Sequence, residues 1–199
     1  MIGTIDVREY RKPNYDIDPL FIERWSPRAL SGEPITDEQL MRLVEAARWS
    51  PSAYNNQPWR FLYAHRDSQH WTTFVDLLKE ENRVWAHRAS AMVLLVSKTT
   101  HDKHGIHVRT HSLDAGSAWF AFALQGARDG LIAHPIQGFD AKAAREKLNV
   151  PDEFHVEIMI AVGPPGDPDV LSEKDRAREK PNGRRPIEEI VWEGPFLKE

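Results

Sequence analysis

Arg24-Trp25-Ser26-Pro27-Arg28 sets two guanidinium groups either side of a hydroxyl, at alternate positions. In an extended backbone, side chains at i, i+2 and i+4 point to one side of the chain. Two rigid forks and one hydroxyl could then converge on an anion, and the arginine fork matches the spacing of phosphate oxygens. Taken alone, the same residues serve equally as solvated charges. The stretch SPSAYNNQPW, Ser50–Trp59, offers different chemistry. It has no formal charge in a chain where charged residues are 28%, yet it holds two asparagines, a glutamine and two aromatic rings. Side-chain amides donate and accept together, which suits the edge of a heterocycle carrying both carbonyls and an N–H. Pro51 and Pro58 stiffen the loop, so less entropy is lost when a ligand binds. A plain structural turn has a similar composition, and that alternative stays open for the loop by itself.

Other candidates are narrower. His101, His104, His107 and His111 could share a helical face, as a metal site would. Gly105 and the neighbouring β-branched residues oppose a helix there, so the expectation is a polar loop and no metal. In His134–Asp140, Gln137 supplies another amide and Gly138 permits close backbone approach. Arg184, beside Arg185, adds a late cation. No serine sits in a GxSxG elbow, which argues against a hydrolase triad. Neither GxGxxG nor GxxxxGK[ST] occurs, and the prolines of GPPGDP remove the N–H donors that would bind phosphate. The chain has no cysteine, which excludes disulfides, thiol catalysis and Cys-held metals within it. A net charge of −4 gives no basic excess for nucleic acid.

The elements that position these groups follow from periodicity and caps. Asp18-Pro19 opens a short helix over LFIERW. Thr36 and Gln39 form a capping-box pattern, and Leu40, Leu43, Val44 and Ala47 continue it as a helical stripe ending near Trp49. Trp59–His65 alternates as a strand. Trp71–Glu81 carries a helical stripe of Phe74, Leu77 and Leu78. Ala91–Ser97 and Val156–Val162 are compact apolar runs, expected as buried strands. His111–Asp129 predicts a long central helix capped by Gly130, and Asp140–Leu148 a shorter one. Residues 171–183 are mostly charged and are expected to be mobile. RRPIEEIVW is expected as a strand or extended arm whose Ile187, Ile190, Val191 and Trp192 need cover from elsewhere. The predicted class is α+β, a mixed central sheet flanked by helices. One domain spans 1–199, with an N-terminal extension over 1–17 and a C-terminal arm over 184–199. The longest apolar runs, Met92–Val96 and Ala118–Leu124, are too short to cross a bilayer. The polar opening MIGTIDVREYRK predicts no secretory leader, and a cytoplasmic location is expected.

In order and spacing, these pieces resemble the nitroreductase family of FMN-dependent oxidoreductases. The matching stretches are RWSPR, SPSAYNNQPWRF, NRVWAHRASAMVLLV, HSLDAGSAW, GLIAHPIQGFD, a strand ending AVGPP, and RRPIEEIVW. They cover nearly the whole chain from about Asp18. The resemblance implies a homodimer with two FMN molecules at the subunit interface and an arm embracing the partner. It implies that Arg24, Ser26 and Arg28, with Trp25 among them, hold the phosphate and ribityl chain, and that Arg184 returns to the phosphate. Pro51, Ser52, Ala53, Asn55 and Gln57 would reach the flavin of the other protomer. Asn82 would face the pyrimidine side of the ring, and Pro135, Ile136, Gln137 and Gly138 would line it near the reactive nitrogen.

By the same resemblance the activity is electron transfer from NADH or NADPH to an electron-poor small molecule, a nitroaromatic or quinone, by a ping-pong hydride mechanism. No residue is named as a catalytic acid. The chain departs from well-known members at three positions: Trp85 and Asn182 stand where those have lysines, and Gln137 where they have glutamate. Trp85 and His87 become candidates for the substrate pocket, with Trp85 stacking at its mouth. The chain is also short, so a substrate-covering insertion is expected to be missing. Alternatives from the same resemblance are a flavin-binding protein without turnover, a reservoir or redox sensor, and a different flavin chemistry such as dehalogenation or flavin fragmentation.

Overall fold

The computed structural model describes residues 5–196. The first helix, α1, runs Pro19–Glu23, with the Asp18 carboxylate accepting from the Leu20 N–H and Pro19 in the first turn. Helix α2, Asp37–Arg48, opens on the complete Thr36–Gln39 capping box. Strand β1 is Trp59–His65.

Where periodicity suggests one helix over 71–81, the chain forms two, α3 at Trp71–Asp76 and α4 at Glu80–Ala86. The break has a tertiary cause. Lys79 is extended and its N–H donates to the Gly138 carbonyl, while the Leu77 carbonyl accepts from Asp140. These bonds to a distant segment replace the next helical turn.

Strand β2 follows at Ala91–Lys98, then α5 at His111–Arg128, β3 at Ile132–Ile136, α6 at Ala141–Lys147, β4 at Phe154–Gly163 and the single-turn α7 at Glu173–Arg176. Gly130, at φ +73°, lets the chain leave α5 in the left-handed conformation.

The four strands are ordered β1-β2-β4-β3, and each pairing is antiparallel. The class is α+β, as expected, but the sheet is not mixed among the described residues. The apolar runs of β2 and β4 form the expected buried strands, because helices cover both faces of the antiparallel sheet. Met92, Leu94 and Val96 join Phe74, Trp85 and Ala144 on one face. The intervening Val93 and Leu95 join Leu40, Leu43 and Phe122 on the other. Alternate residues of β2 from Ala91 to Val96 thus enter opposite cores, which leaves that stretch without a polar side chain.

Strand β3 escapes a pattern reading because Pro135 lies inside it. It occupies a sheet edge, paired with β4, where a missing N–H is tolerated. After β4, the charged stretch 171–183 is tied to the body: Leu171, Asp175 and Glu179 are all buried. Beyond it, Ile187–Glu189 forms one 3-10 turn instead of a strand. Ile190 and Val191 stay 59% and 60% exposed, so their apolar surface has no cover within one chain.

Candidate functional site

RWSPR leaves α1 with Arg24 in extended conformation. Trp25 and Pro27 are buried, while Arg24, Ser26 and Arg28 are half-buried. The alternation expected from i, i+2, i+4 spacing is therefore present, and Trp25 belongs to the inward side. Arg24 donates from Nη1 to Ser26 Oγ at 3.3 Å. Arg28 lies 4.0 Å from Glu179 Oε2, and Glu179 Oε1 accepts from the Arg28 and Ala29 backbone N–H groups at 2.7 and 2.8 Å. Burial pushes the Glu179 carboxyl above its usual range, against those two bonds and the Arg28 charge.

Arg24 and Arg184 have no carboxylate within ion-pair distance among the described residues. Burial first, and then the neighbouring Arg184, lowers the Arg24 pKa. A third guanidinium, Arg11, stands with them. Its pKa falls to about 10 through burial, Arg184 and Arg24, in that order. Arg11 carries no motif, and nothing in sequence order links it to residues 24 or 184. Cations packed without a counter-charge are arranged for a ligand that brings one.

The Asn82–Gly138 pair joins α4 to the segment just after β3. Asn82 Nδ2 donates to the Gly138 carbonyl at 3.0 Å. A Cβ on Gly138 would stand 2.3 Å from that amide nitrogen, so only glycine allows this approach. The bond leaves Asn82 Oδ1 as an acceptor for an N–H. Gln137 is exposed, whereas the Ile136 side chain is buried, so Ile136 can offer a ligand only its backbone.

His134 Nδ1 bonds the Pro27 carbonyl at 2.8 Å, joining β3 to RWSPR. Desolvation lowers the His134 pKa to about 4, so its ring is neutral at ordinary pH. Trp85 packs on that ring with centroids 4.5 Å apart and is only 2% exposed. The expectation of Trp85 at a pocket mouth is therefore corrected: its indole fills the core, and its N–H has no partner. The sequence shows that a lysine position holds tryptophan, but not that α4 turns this side chain inward. His87 remains exposed, bonded through Nδ1 to the Arg83 carbonyl.

The Ser50–Trp59 loop lies in a separate group of contacts. Tyr54, Asn55 and Gln57 have φ of +53°, +54° and +48°. Left-handed backbone at non-glycine residues is strained, and persists only when neighbours enforce it. Here Ala53 N–H donates to Asp114 Oδ2 at 3.1 Å, and Gln57 N–H to Ser52 Oγ at 3.0 Å. Asn56 turns inward, donating to the Thr100 carbonyl at 3.3 Å and accepting from Asp102 N–H at 3.1 Å. The enforced shape presents Pro51, Asn55 and Gln57 to solvent and leaves Tyr54 91% exposed. A depression of about 440 Å³ lies between this loop and His101, Asp102 and Lys103. His101 stacks on His104 at 4.8 Å. Among the described residues, no group of three or more His, Asp or Glu is placed to hold a metal ion.

The predicted residues therefore fall into two groups. Arg24, Ser26, Arg28, Asn82 and Pro135–Gly138 are linked through Pro27, His134 and Trp85, and the segment of Arg184 joins Arg24 through Arg11. Pro51, Ser52, Ala53, Asn55 and Gln57 share a loop that is tied to the start of α5 by Ala53 and to Thr100 and Asp102 by Asn56.

The fold of this chain is shared with an oxidoreductase of known structure. That crystal structure, described as an oxidoreductase containing FMN, matches with a TM-score of 0.93 and 42% identity, covering 99% of this chain and 100% of that one. A nitroreductase family protein from Clostridium difficile 630 shares the fold at a TM-score of 0.70 and 19% identity, covering 92% of this chain and 100% of that one. In sequence, the chain is 32% identical over 128 residues to an uncharacterized 15.4 kDa protein of Mycolicibacterium smegmatis, covering 62% of this chain and 82% of the relative. It is 25% identical over 170 residues to a Streptomyces griseus protein provisionally named NADH dehydrogenase/NAD(P)H nitroreductase, covering 75% of this chain and 85% of the relative. The model of the nitroreductase family matches residues 22–84. The chain belongs to the nitroreductase family.

Proposed function

We propose that this protein is an FMN-dependent oxidoreductase carrying electrons from NADH or NADPH to an electron-poor small molecule, a nitroaromatic or quinone. The observation that carries the reading is the pole of Arg24, Ser26 and Arg184, a set of donors with no carboxylate paired to its cations among the described residues. A phosphomonoester brings close to two negative charges and three acceptor oxygens, which fits that set. Arg28 supports the pole less directly, since Glu179 already faces it. Asn82 Oδ1 is left to accept from an N–H on a ring edge, and the backbone at Gly138 can approach a flat ligand closely. When bound, FMN supplies the hydride relay between reductant and acceptor, which take turns at one site.

The same reading places the chain in a homodimer. Loop 51–57 of one copy would complete the site built by Arg24, Asn82 and Arg184 of the other. Two observations favour this: the two groups of residues bond to different parts of one chain, and Asn55 and Gln57 of the loop are exposed. The exposed Ile190 and Val191 give the 184–199 arm a reason to lie on a second subunit. No helix among the described residues is long and apolar enough to cross a membrane.

An absorbance spectrum of the purified protein, followed by anaerobic titration with NADH and NADPH, tests the reading. Flavin bands that bleach at about one reductant per site support it. Colourless protein that takes up no FMN and oxidises neither nicotinamide overturns it. Bound FMN that neither reductant bleaches identifies a flavin carrier without turnover instead.

A further inference from the structure

Arg11 follows a 3-10 turn at Val7–Glu9, within the extension that the family's motifs do not reach. Its guanidinium bonds three carbonyls on two distant segments. Nε donates to Asn182 at 3.0 Å, and Nη1 donates to Ile22 at 2.7 Å and Arg24 at 2.8 Å. The first acceptor lies two residues before Arg184, and the last is the backbone of Arg24 itself. Arg8 faces Glu23 at 3.5 Å, and no ion pair is formed by Arg11 among the described residues.

A guanidinium carries five N–H donors. Three are used on these carbonyls, so both N–H groups of Nη2 remain for a ligand. Arg11 and Arg184 also line one solvent-open depression.

We infer that Arg11 is a further positioning residue of the anion pole: it clamps the Arg24 turn to the Asn182–Arg184 segment and makes the site select a phosphorylated flavin over the unphosphorylated one. This rests on the proposed FMN reading and deepens it. The physical argument is geometric. Arg24 and Arg184 come from opposite ends of the chain, and a phosphate can use both only if their separation is fixed beforehand. One planar group bonded to both segments fixes it. Lysine, a single ammonium on a flexible stem, has no planar fork to reach both segments from two nitrogens. The crowding of Arg11, Arg24 and Arg184 also disfavours the pole without an anion, so an anion stabilises this arrangement selectively.

The test compares FMN and riboflavin binding to apoprotein by quenching of flavin fluorescence, for wild type, Arg11→Met and Arg11→Lys. Arg11→Met should weaken FMN binding by about tenfold to a hundredfold, as loss of a charge-assisted contact implies, and leave riboflavin binding unchanged. Arg11→Lys should lose part of the FMN preference. Unchanged FMN-to-riboflavin preference in either variant overturns the inference, as does equal loss of both ligands. If Arg11→Met does not fold, Arg11→Lys alone decides by the same criterion. Wild-type protein that binds neither flavin overturns the cofactor reading itself, and this inference with it. Wild type that binds FMN beside a variant of unchanged preference overturns only the role of Arg11.

Discussion

Glu179 Oε1 accepts hydrogen bonds from the backbone N–H groups of both Arg28 and Ala29, at 2.7 and 2.8 Å across 150 residues of chain. A carboxylate from the charged stretch 171–183 thus holds the turn that presents Arg24 and Ser26. Removing it leaves two N–H groups without their acceptor in a largely buried place.

Glu179→Ala should therefore destabilise the fold by about 1–3 kcal/mol, and should weaken FMN binding because the arginine turn loses its anchor. Glu179→Gln keeps one acceptor oxygen for the two N–H groups and should be milder. The pH dependence has a defined sign. The folded carboxyl binds its proton more tightly than the unfolded one, because burial disfavours its charge. Raising the pH above the ordinary carboxylate range therefore costs stability that Glu179→Gln does not lose. Urea unfolding at pH 4 and pH 7 should show wild type losing ground to Glu179→Gln as pH rises. A constant difference between them would overturn the assignment of a buried, disfavoured charge.

His134 gives the opposite slope. Its folded pKa of about 4 lies below the usual 6.5, chiefly through desolvation. The neutral ring is the form the fold accepts. Its contribution is complete above pH 6.5 and is lost as pH falls toward 4, by roughly 3 kcal/mol at most. His134→Gln retains a donor for the Pro27 carbonyl and removes the titration. Its unfolding free energy should change less than that of wild type between pH 7 and pH 4.5. Equal slopes would show that His134 does not titrate in this window.

Neighbouring asparagines in the strained loop should behave differently. Asn56 spends its amide on Thr100 and Asp102, while Asn55 is exposed. Asn56→Ala should lower stability by about 1–2 kcal/mol. Asn55→Gly keeps the left-handed backbone without an amide, so stability should stay within about 1 kcal/mol of wild type, yet FMN binding should weaken about threefold to tenfold if the amide meets a ligand. Thermal unfolding and FMN titration on both variants separate the roles. Similar effects of the two substitutions would mean that the loop is only a turn.

How much of this could be seen in the sequence depends on how local the cause is. The Thr36–Gln39 box and the Trp59–His65 alternation are set by adjacent residues, and both elements form as expected. The i, i+2, i+4 spread of Arg24, Ser26 and Arg28 is also local, and it holds. Strand β3 was hidden by Pro135, whose tolerance depends on an edge position that only the assembled sheet defines. The break at Lys79 depends on Gly138 and Asp140, some 60 residues away. Arg11 and Glu179 join the site through backbone groups, which have no sequence signature at all.

Trp85 separates a core role from a pocket role. Its ring is buried against His134, and its indole N–H has no partner. Trp85→Phe removes that buried unpaired donor while keeping an aromatic ring, so the lost volume and the removed polar group oppose each other. Its stability should stay within about 1.5 kcal/mol of wild type. Trp85→Ala leaves a cavity and should cost about 3–5 kcal/mol. Neither outcome needs a ligand, and urea unfolding of the apoprotein reads both. If Trp85 instead stacked on the acceptor at a pocket mouth, the phenylalanine variant would keep its stability but raise the KM for a quinone. With a core tryptophan, KM should stay at the wild-type value in Trp85→Phe, and the energetic difference between the two variants should lie in folding alone.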